Sequence, residues 1–227
     1  IFAKLIRVDG SEGYNSLLIT HKDSPYKSVD DVLKNSKEIN FGIGDPNSTS
    51  GFLVPSYYVF AKNNVDPKTA FKTIRGANHA TNFMAAANKQ VDVATFNTED
   101  YEKMEHSQPE MVKNIRIIWK SALIPADPFV WRKDLPADLK TKIKNFMVTY
   151  AKGADAAGQK EKIKMIPAGG FAASNDDQLI PIRQIALFSA RVKLQNDANM
   201  DASEKSKKID QINRQLDELG QKLALAK

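Results

Sequence analysis

Gly44-Asp45-Pro46-Asn47-Ser48-Thr49-Ser50-Gly51-Phe52-Leu53 joins a strand-like run, residues 39–43, to a helix-like run, residues 52–62. Three consecutive hydroxyl residues therefore fall where a helix starts. The first N–H groups of a helix have no partner within it, and they carry the positive end of its dipole. Serine and threonine hydroxyls add side-chain donors to these backbone donors, and such a start can cradle a tetrahedral oxyanion. An ordinary N-cap draws on the same residue types, although one of them suffices for it. Both readings stay open at this point. A nucleotide P-loop is excluded, because no Gly-Lys-Ser/Thr follows the glycines.

The strand-then-helix pattern continues on both sides. Residues 14–20 (Tyr-Asn-Ser-Leu-Leu-Ile-Thr) read as a buried strand, followed by the turn Lys22-Asp23-Ser24-Pro25 and a helix start at Ser28-Val29-Asp30-Asp31. The 52–63 helix carries Pro55, which its first turn would tolerate. A strand at 71–74, a helix at 78–87 and strands at 91–95 and 115–119 complete the series. Strands alternating with helices of about ten residues predict an α/β architecture with a mainly parallel sheet.

From Pro136 the pattern turns helical. Leu139, Ile143, Phe146, Met147 and Tyr150 share one helical face, and residues 178–194 carry another apolar stripe. Ile209, Ile212, Leu216, Leu219 and Leu223 form an a/d seam at alternating steps of three and four. Two heptads are marginal alone. The seam is expected either to pack on the chain's own body or to join two subunits, and residues 196–204 are the expected flexible connection before it.

A chain of 227 residues can hold one large or two small domains. No apolar run approaches the roughly 20 residues that span a bilayer. With no cysteine in the sequence, disulfide and thiolate chemistry are excluded. The net charge of +6 comes from lysines scattered among acids rather than from a basic block. A nucleic-acid surface is therefore not expected, whereas mild steering of an anion is. The opening Ile1-Phe2-Ala3-Lys4 reads as a mature protein or a fragment.

Other candidate residues lie where strands end. His79 begins the 78–87 helix, and strand carboxyl ends in open α/β sheets face one crevice, so His79 is expected on the same side as Ser48, Thr49 and Ser50. Asn97-Thr98-Glu99-Asp100 follows the 91–95 strand, where either acid could cap the next helix. Asp127 lies in the apolar segment 124–131, where it is either a turn residue before Pro128 or a carboxylate in need of a partner. No catalytic set emerges. The three histidines (His21, His79, His106) lack metal-ligand spacing, so no metal is expected, and no Gly-x-Ser-x-Gly elbow is present.

With these residues in view, the chain resembles the periplasmic phosphonate-binding proteins of bacterial ABC transporters. The resemblance rests on residues 44–55, Tyr57-Tyr58-Val59-Phe60-Ala61-Lys62-Asn63-Asn64, residues 87–95 with Asn97-Thr98-Glu99, and Ile118-Trp119-Lys120-Ser121. Leu123-Ile124-Pro125, Asp127-Pro128, Val130-Trp131-Arg132-Lys133 and Pro181-Ile182-Arg183-Gln184 with Ala186-Leu187-Phe188 extend it. It runs from Ile1 to about Phe188, and more loosely beyond.

The resemblance implies a type II periplasmic-binding-protein fold, α/β, with two lobes and a ligand cleft between them. Residues 1–19 would be a remnant of lobe one with the first crossing strand, and 20–119 lobe two. Residues 120–187 would hold the second crossing and the return to lobe one, and 188–227 a helical tail. Family members carry further residues ahead of the point matching Ile1, including an export signal, so lobe one is expected to be incomplete. The implied function is periplasmic capture of an alkylphosphonate, of the aminoalkyl kind, for delivery to a membrane permease, without catalysis or cofactor. Ser48, Thr49, Ser50 and His79 would hold the phosphonate anion, and Glu99 and Asp127 an ammonium. A homodimer through the C-terminal helix is a further expectation. The alternatives are an enzyme acting on a phosphorylated small molecule, with His79 as general acid or base, and a binder of phosphate or phosphite.

Overall fold

The computed structural model describes residues 1–153, 156–163 and 168–225. The remaining residues fall within the expected return segment 120–187 and tail 188–227. The chain forms two compact units. Unit 1 gathers Ile1–Tyr14, Pro125–Pro181 and the chain from Gln221 on, and unit 2 gathers Asn15–Ile124 and Ile182–Gly220. Residues 182–220 thus cluster with unit 2, whereas the sequence reading returned 120–187 to lobe one and left 188–227 as a tail.

Ten short strands are formed among the described residues: β1 (Ala3–Ile6), β2 (Gly13–Tyr14), β3 (Ser16–His21), β4 (Asn40–Ile43), β5 (Thr73–Gly76), β6 (Val93–Asn97), β7 (Ile115–Lys120), β8 (Ile124–Pro125), β9 (Pro128–Phe129) and β10 (Gly170–Ala173). Unit 2 is built on a five-stranded sheet in the order β5-β4-β6-β3-β7. The pairs β4–β5 and β4–β6 are parallel, while β3 runs antiparallel to both β6 and β7. Four strands therefore share one direction and β3 alone opposes them, which refines the expectation of a mainly parallel sheet.

Every residue of β3 is buried, as a strand covered on both faces requires. Its side chains alternate between two cores. Leu18 packs with Val32, Ile39, Phe41, Val59, Phe60 and Val93. Leu17 and Ile19 pack with Phe83, Ala86, Ala94 and Phe96. Register is fixed by this alternation, with Leu17 opposite Phe96 and Leu18 opposite Thr95. A slip of one residue would exchange the two sets of side chains between faces.

Unit 1 holds a three-stranded antiparallel sheet in the order β10-β1-β9. Phe171 of β10 meets Phe129 of β9 edge-on at 5.3 Å between ring centroids. Ile163, Ala168 and Phe171 form its core, with Leu5, Met147 and Tyr150 packed against it. The helix Ala137–Thr149 buries none of its residues fully, and of its expected stripe Leu139 and Phe146 lie exposed.

The C-terminal helices Ile180–Gln195 and Ala202–Leu225 leave 196–201 as the connection between them. Phe188 stacks on Tyr57 at 5.5 Å, and Arg191 lies 5.0 Å over the Phe188 ring while its Nη1 donates to Asn213 Oδ1 at 2.9 Å. In the expected seam Ile212 and Leu216 are buried, and Ile209, Leu219 and Leu223 are half-buried, all within the single chain. Ile212 and Leu216 are thus covered by the chain's own packing, as the fold-back reading expects. Truncating Leu216 to Ala should cost about 2–3 kcal/mol of stability through the cavity left behind. Urea denaturation measures this, and sedimentation should show the same assembly state before and after the change.

Candidate functional site

The parallel strands β4, β5 and β6 end at one edge of the unit 2 sheet, and a helix start lies beyond each of the ends of β4, β5 and β6. Beyond β4 the chain turns through Asp45, whose Oδ1 accepts from Asn47 N–H at 2.8 Å while its carbonyl accepts from Ser48 N–H at 2.8 Å. The helix then begins at Thr49, three residues earlier than the sequence suggested, and runs through 49–63 with widened turns. Leu53 N–H reaches back five residues to Ser48 C=O at 3.0 Å. Pro55 therefore sits in the second turn, beyond the turn in which proline is ordinarily accommodated.

Pro55 has no N–H with which to claim the carbonyl of Gly51 four residues back, or that of Ser50 five residues back. Both carbonyls are taken from outside the helix. Gly44 N–H donates to Gly51 C=O at 2.9 Å, and Ser16 Oγ donates to Ser50 C=O at 2.6 Å. The strand end and the helix start are thereby tied back to back. A Cβ on Gly44 would stand 2.5 Å from Gly51 Cα, and one on Gly51 would meet Ser48 Oγ at 2.9 Å and His79 Cε1 at 3.1 Å. Only glycine fits at either position without displacing backbone.

The three hydroxyl residues have separate roles. Ser48 is the N-cap, its Oγ accepting from Gly51 N–H at 3.0 Å. Ser50 is buried, with its Oγ 3.1 Å from His79 Nε2. Thr49 is half-buried. The N–H groups of Thr49 and Ser50 and the hydroxyl of Thr49 have no hydrogen-bond partner among the described residues. Cap and cradle are therefore not exclusive. The cap serves the third amide of the helix and leaves two amides for an anion.

His79 opens the helix His79–Ala87, whose N-cap is Asn78 with Oδ1 accepting from Thr81 N–H at 2.8 Å. The ring lies edge-on to Phe96 at 5.8 Å, and its Nδ1 is buried with no hydrogen-bond partner. Burial holds the imidazole below its ordinary value of 6.5, and Lys103 acts in the same direction, while Asp100 and the Thr95 carbonyl oppose the shift.

Glu99 is half-buried in the first turn of the helix Thr98–Ser107, beyond β6 at the same sheet edge. The N-cap of that helix is Asn97, whose side chain is held by Asp100. Asn97 Oδ1 accepts from Asp100 N–H at 2.7 Å, Asn97 Nδ2 donates to Asp100 Oδ2 at 2.9 Å, and Lys103 Nζ donates to Asp100 Oδ1 at 2.8 Å. Burial raises the Asp100 carboxyl, but hydrogen bonds from Lys103 and Asn97 outweigh it, and the group stays below the usual 3.8. Asp100 and Ser16 were missed as partners of the site. The reciprocal Asn97/Asp100 spacing was the available signal for the first, and Ser16 offered none.

Asp127 lies in unit 1 between β8 and β9, with its side chain exposed. Its carboxylate is exposed, so it is not a buried group in want of a partner. Among the described residues no group of three or more His, Cys, Asp or Glu could hold a metal, and no helix is long and apolar enough to cross a membrane.

Helix starts at the carboxyl ends of parallel strands are where α/β folds commonly place anionic ligands. The family of periplasmic substrate-binding proteins of phosphonate ABC transporters matches residues 1–179, and the chain belongs to that family. The phosphonates-binding periplasmic protein of Escherichia coli (strain K12) is 48% identical over 219 residues, which cover 96% of this chain and 64% of that protein. This chain thus spans about two thirds of the relative's length. A crystal structure of a binding protein component of an ABC phosphonate transporter from Pseudomonas aeruginosa is 49% identical, with a TM-score of 0.90 over all of this chain and 74% of that one. A Prochlorococcus marinus protein solved with methylphosphonate shares the fold at 20% identity, with a TM-score of 0.62 over 81% of this chain and 70% of that one. The family and the first two of these relatives are described as binding proteins of phosphonate transport, which lends the enzymatic alternative no support.

Two outcomes follow from this geometry. Gly44→Ala should destabilise unit 2 by about 2–3 kcal/mol, because the added methyl meets backbone rather than a movable side chain. Chemical denaturation checks it. His79, with its folded value depressed, contributes stability that is present above 6.5 and lost as pH falls through the folded value. His79→Gln should therefore flatten the decline in melting temperature on the acid side of 6.5, read by thermal denaturation across that window.

Proposed function

We propose that this chain captures an alkylphosphonate, of the aminoalkyl kind, for delivery to the membrane permease of an ABC transporter. The observation that carries the reading is the pair of unpartnered amides, Thr49 N–H and Ser50 N–H, at a helix start flanked by the Ser48, Thr49 and Ser50 hydroxyls and by His79. A helix terminus with free amides favours an anion electrostatically and offers it fixed donors. Charge-assisted hydrogen bonds contribute about 1.5–3 kcal/mol each. Several together are enough for tight capture.

In this reading Glu99 and Asp127 receive the ammonium of a zwitterionic ligand. Glu99 belongs to the first turn of a helix at the same strand edge as the hydroxyls, and Asp127 presents an exposed carboxylate in unit 1. A ligand with separated charges would use both kinds of group. A plain alkyl ligand would use only the donors.

Replacing Ser48, Thr49 and Ser50 together by Ala removes the hydroxyls while the backbone amides remain. Affinity for an aminoalkylphosphonate should fall by about 3 kcal/mol or more, on the order of a hundredfold. Calorimetry reading the same affinity in the triple variant would refute the assignment. Glu99→Gln with Asp127→Asn should weaken an aminoalkyl ligand far more than an alkyl one of equal length, and equal losses would make both carboxylates structural. Phosphate and phosphite in the same titrations test the competing oxyanions, and either of them binding more tightly than every phosphonate would replace the proposed ligand.

A further inference from the structure

Two helix starts at the ligand edge of unit 2, those at Thr49 and Thr98, are held by two adjacent residues where the chain enters β3. Asn15 N–H donates to Thr98 Oγ1 at 3.0 Å, and Thr98 N–H donates to Asn15 C=O at 3.0 Å. The next residue, Ser16, donates from its Oγ to Ser50 C=O at 2.6 Å and lies opposite Asn97, the N-cap of the second helix. Ser121 in turn holds both residues. Its Oγ accepts from Ser16 N–H, its N–H donates to Ser16 C=O, and its C=O accepts from Asn15 Nδ2, each at 2.9 Å. Ser16 and Ser121 are buried, so these bonds are made away from water.

Each tie acts on a group the ligand would meet. The peptide between Ser50 and Gly51 is held at its C=O by Ser16 Oγ and at its N–H by Ser48 Oγ. A planar unit held at both ends does not turn freely, so the setting of Ser50 is fixed from β3. The Asn15–Thr98 pair does the same for the residue that precedes Glu99. The two starts also differ in character. At the first, the Thr49 and Ser50 amides are left open. At the second, Asn15 C=O takes the first amide, Asn97 Oδ1 takes the third, and the first turn carries Glu99 and Asp100. One start suits an anion and the other brings carboxylates, and they are anchored on neighbouring residues whose Cα atoms stand about 3.8 Å apart.

We propose that Asn15 and Ser16 are positioning residues that hold the anion cradle and the Glu99 helix at a fixed separation, so that the chain selects its ligand by the number of carbons between phosphonate and ammonium. This rests on the aminoalkylphosphonate reading above and adds to it what sets the length of the ligand. Ser16 acts through Ser50 and Asn15 through Thr98.

Calorimetry on the full chain with ω-aminoalkylphosphonates of one to four carbons, and with methylphosphonate as a ligand without an ammonium, tests this. The wild-type chain should prefer one length over its neighbours by about tenfold or more, the worth of one misplaced charge-assisted bond. Thr98→Val removes the acceptor of Asn15 N–H at nearly constant shape. The preferred aminoalkyl ligand should then lose about tenfold, bringing the lengths within about threefold of one another, while methylphosphonate stays within about twofold of wild type. Thr98→Ser keeps the acceptor and should keep the preference. Ser16→Ala should weaken methylphosphonate about tenfold and the preferred aminoalkyl ligand further, so that the lengths again converge. The two Thr98 variants decide the question even where Ser16→Ala does not fold. A wild-type chain indifferent to length, matching profiles for Thr98→Val and Thr98→Ser, or variants that weaken every ligand by one factor would each overturn the positioning role while the phosphonate reading stands. Binding of methylphosphonate with no gain for any aminoalkyl ligand would remove the ammonium reading, and binding of none would remove the phosphonate reading. The positioning role falls with either.

Discussion

Gly44 and Gly51 lie back to back, joined by one amide-to-carbonyl bond of 2.9 Å, and the functional end of unit 2 is arranged around that contact. The bond exists because Pro55 cannot claim the Gly51 carbonyl, and the approach exists because neither glycine has a Cβ. Together they hold the end of β4 against the start of the 49–63 helix. The first amides of that helix are therefore presented by the sheet itself rather than by a mobile loop, which is the kind of preorganisation an anion site draws on. Ser16, reaching from β3 to the Ser50 carbonyl, adds a second tie from a neighbouring part of the sheet.

A proline in the second turn is ordinarily a fault in a helix. Here its cost is offset by two bonds made to carbonyls it leaves open. The widened turns around it take up the remaining mismatch, with Leu53 and Val54 each bonding five residues back. Beyond the proline the same helix carries a dense aromatic face. Tyr57 and Tyr58 pair at 4.9 Å, Lys62 lies 4.8 Å over Tyr58, and Tyr57 stacks on Phe188. The Tyr57–Phe188 stack ties the end of the 49–63 helix to the C-terminal helix Ile180–Gln195.

Much of this architecture was legible in the sequence, and the parts that were not have specific causes. β3 and β4 read correctly because buried strands in a layered α/β unit are continuous apolar runs, and β7 was legible as an apolar run although none of its residues is fully buried. β6 begins two residues later than 91–95, because Val91 and Asp92 serve the turn into it, Asp92 Oδ2 holding Asn40 N–H at 2.7 Å. The reversed direction of β3 could not be read, since strand sense is set by connections rather than by pattern. His79 and the hydroxyls were found together because each begins a helix after a parallel strand. Glu99 and Asp100 both read as possible caps of the next helix, whereas the N-cap is Asn97, just ahead of them. The C-terminal seam was visible as a stripe, but a heptad pattern does not say whose surface will cover it, and here Ile212 and Leu216 are covered within the chain.

The division of labour at the helix start is a general consequence of having four orphan amides. A cap that accepted from the first or second amide would compete with a ligand for the donors the ligand needs. Ser48 accepts from the third instead. The helix is thus terminated well enough to be stable without a ligand, and the two amides nearest its positive end remain unpaired. Three hydroxyls in a row then make physical sense as three tasks: Ser48 closes the turn, Thr49 stays unbonded beside the free amides, and Ser50 is held by His79. One hydroxyl, that of Ser48, is enough for the cap, which leaves those of Thr49 and Ser50 beside the unpaired amides.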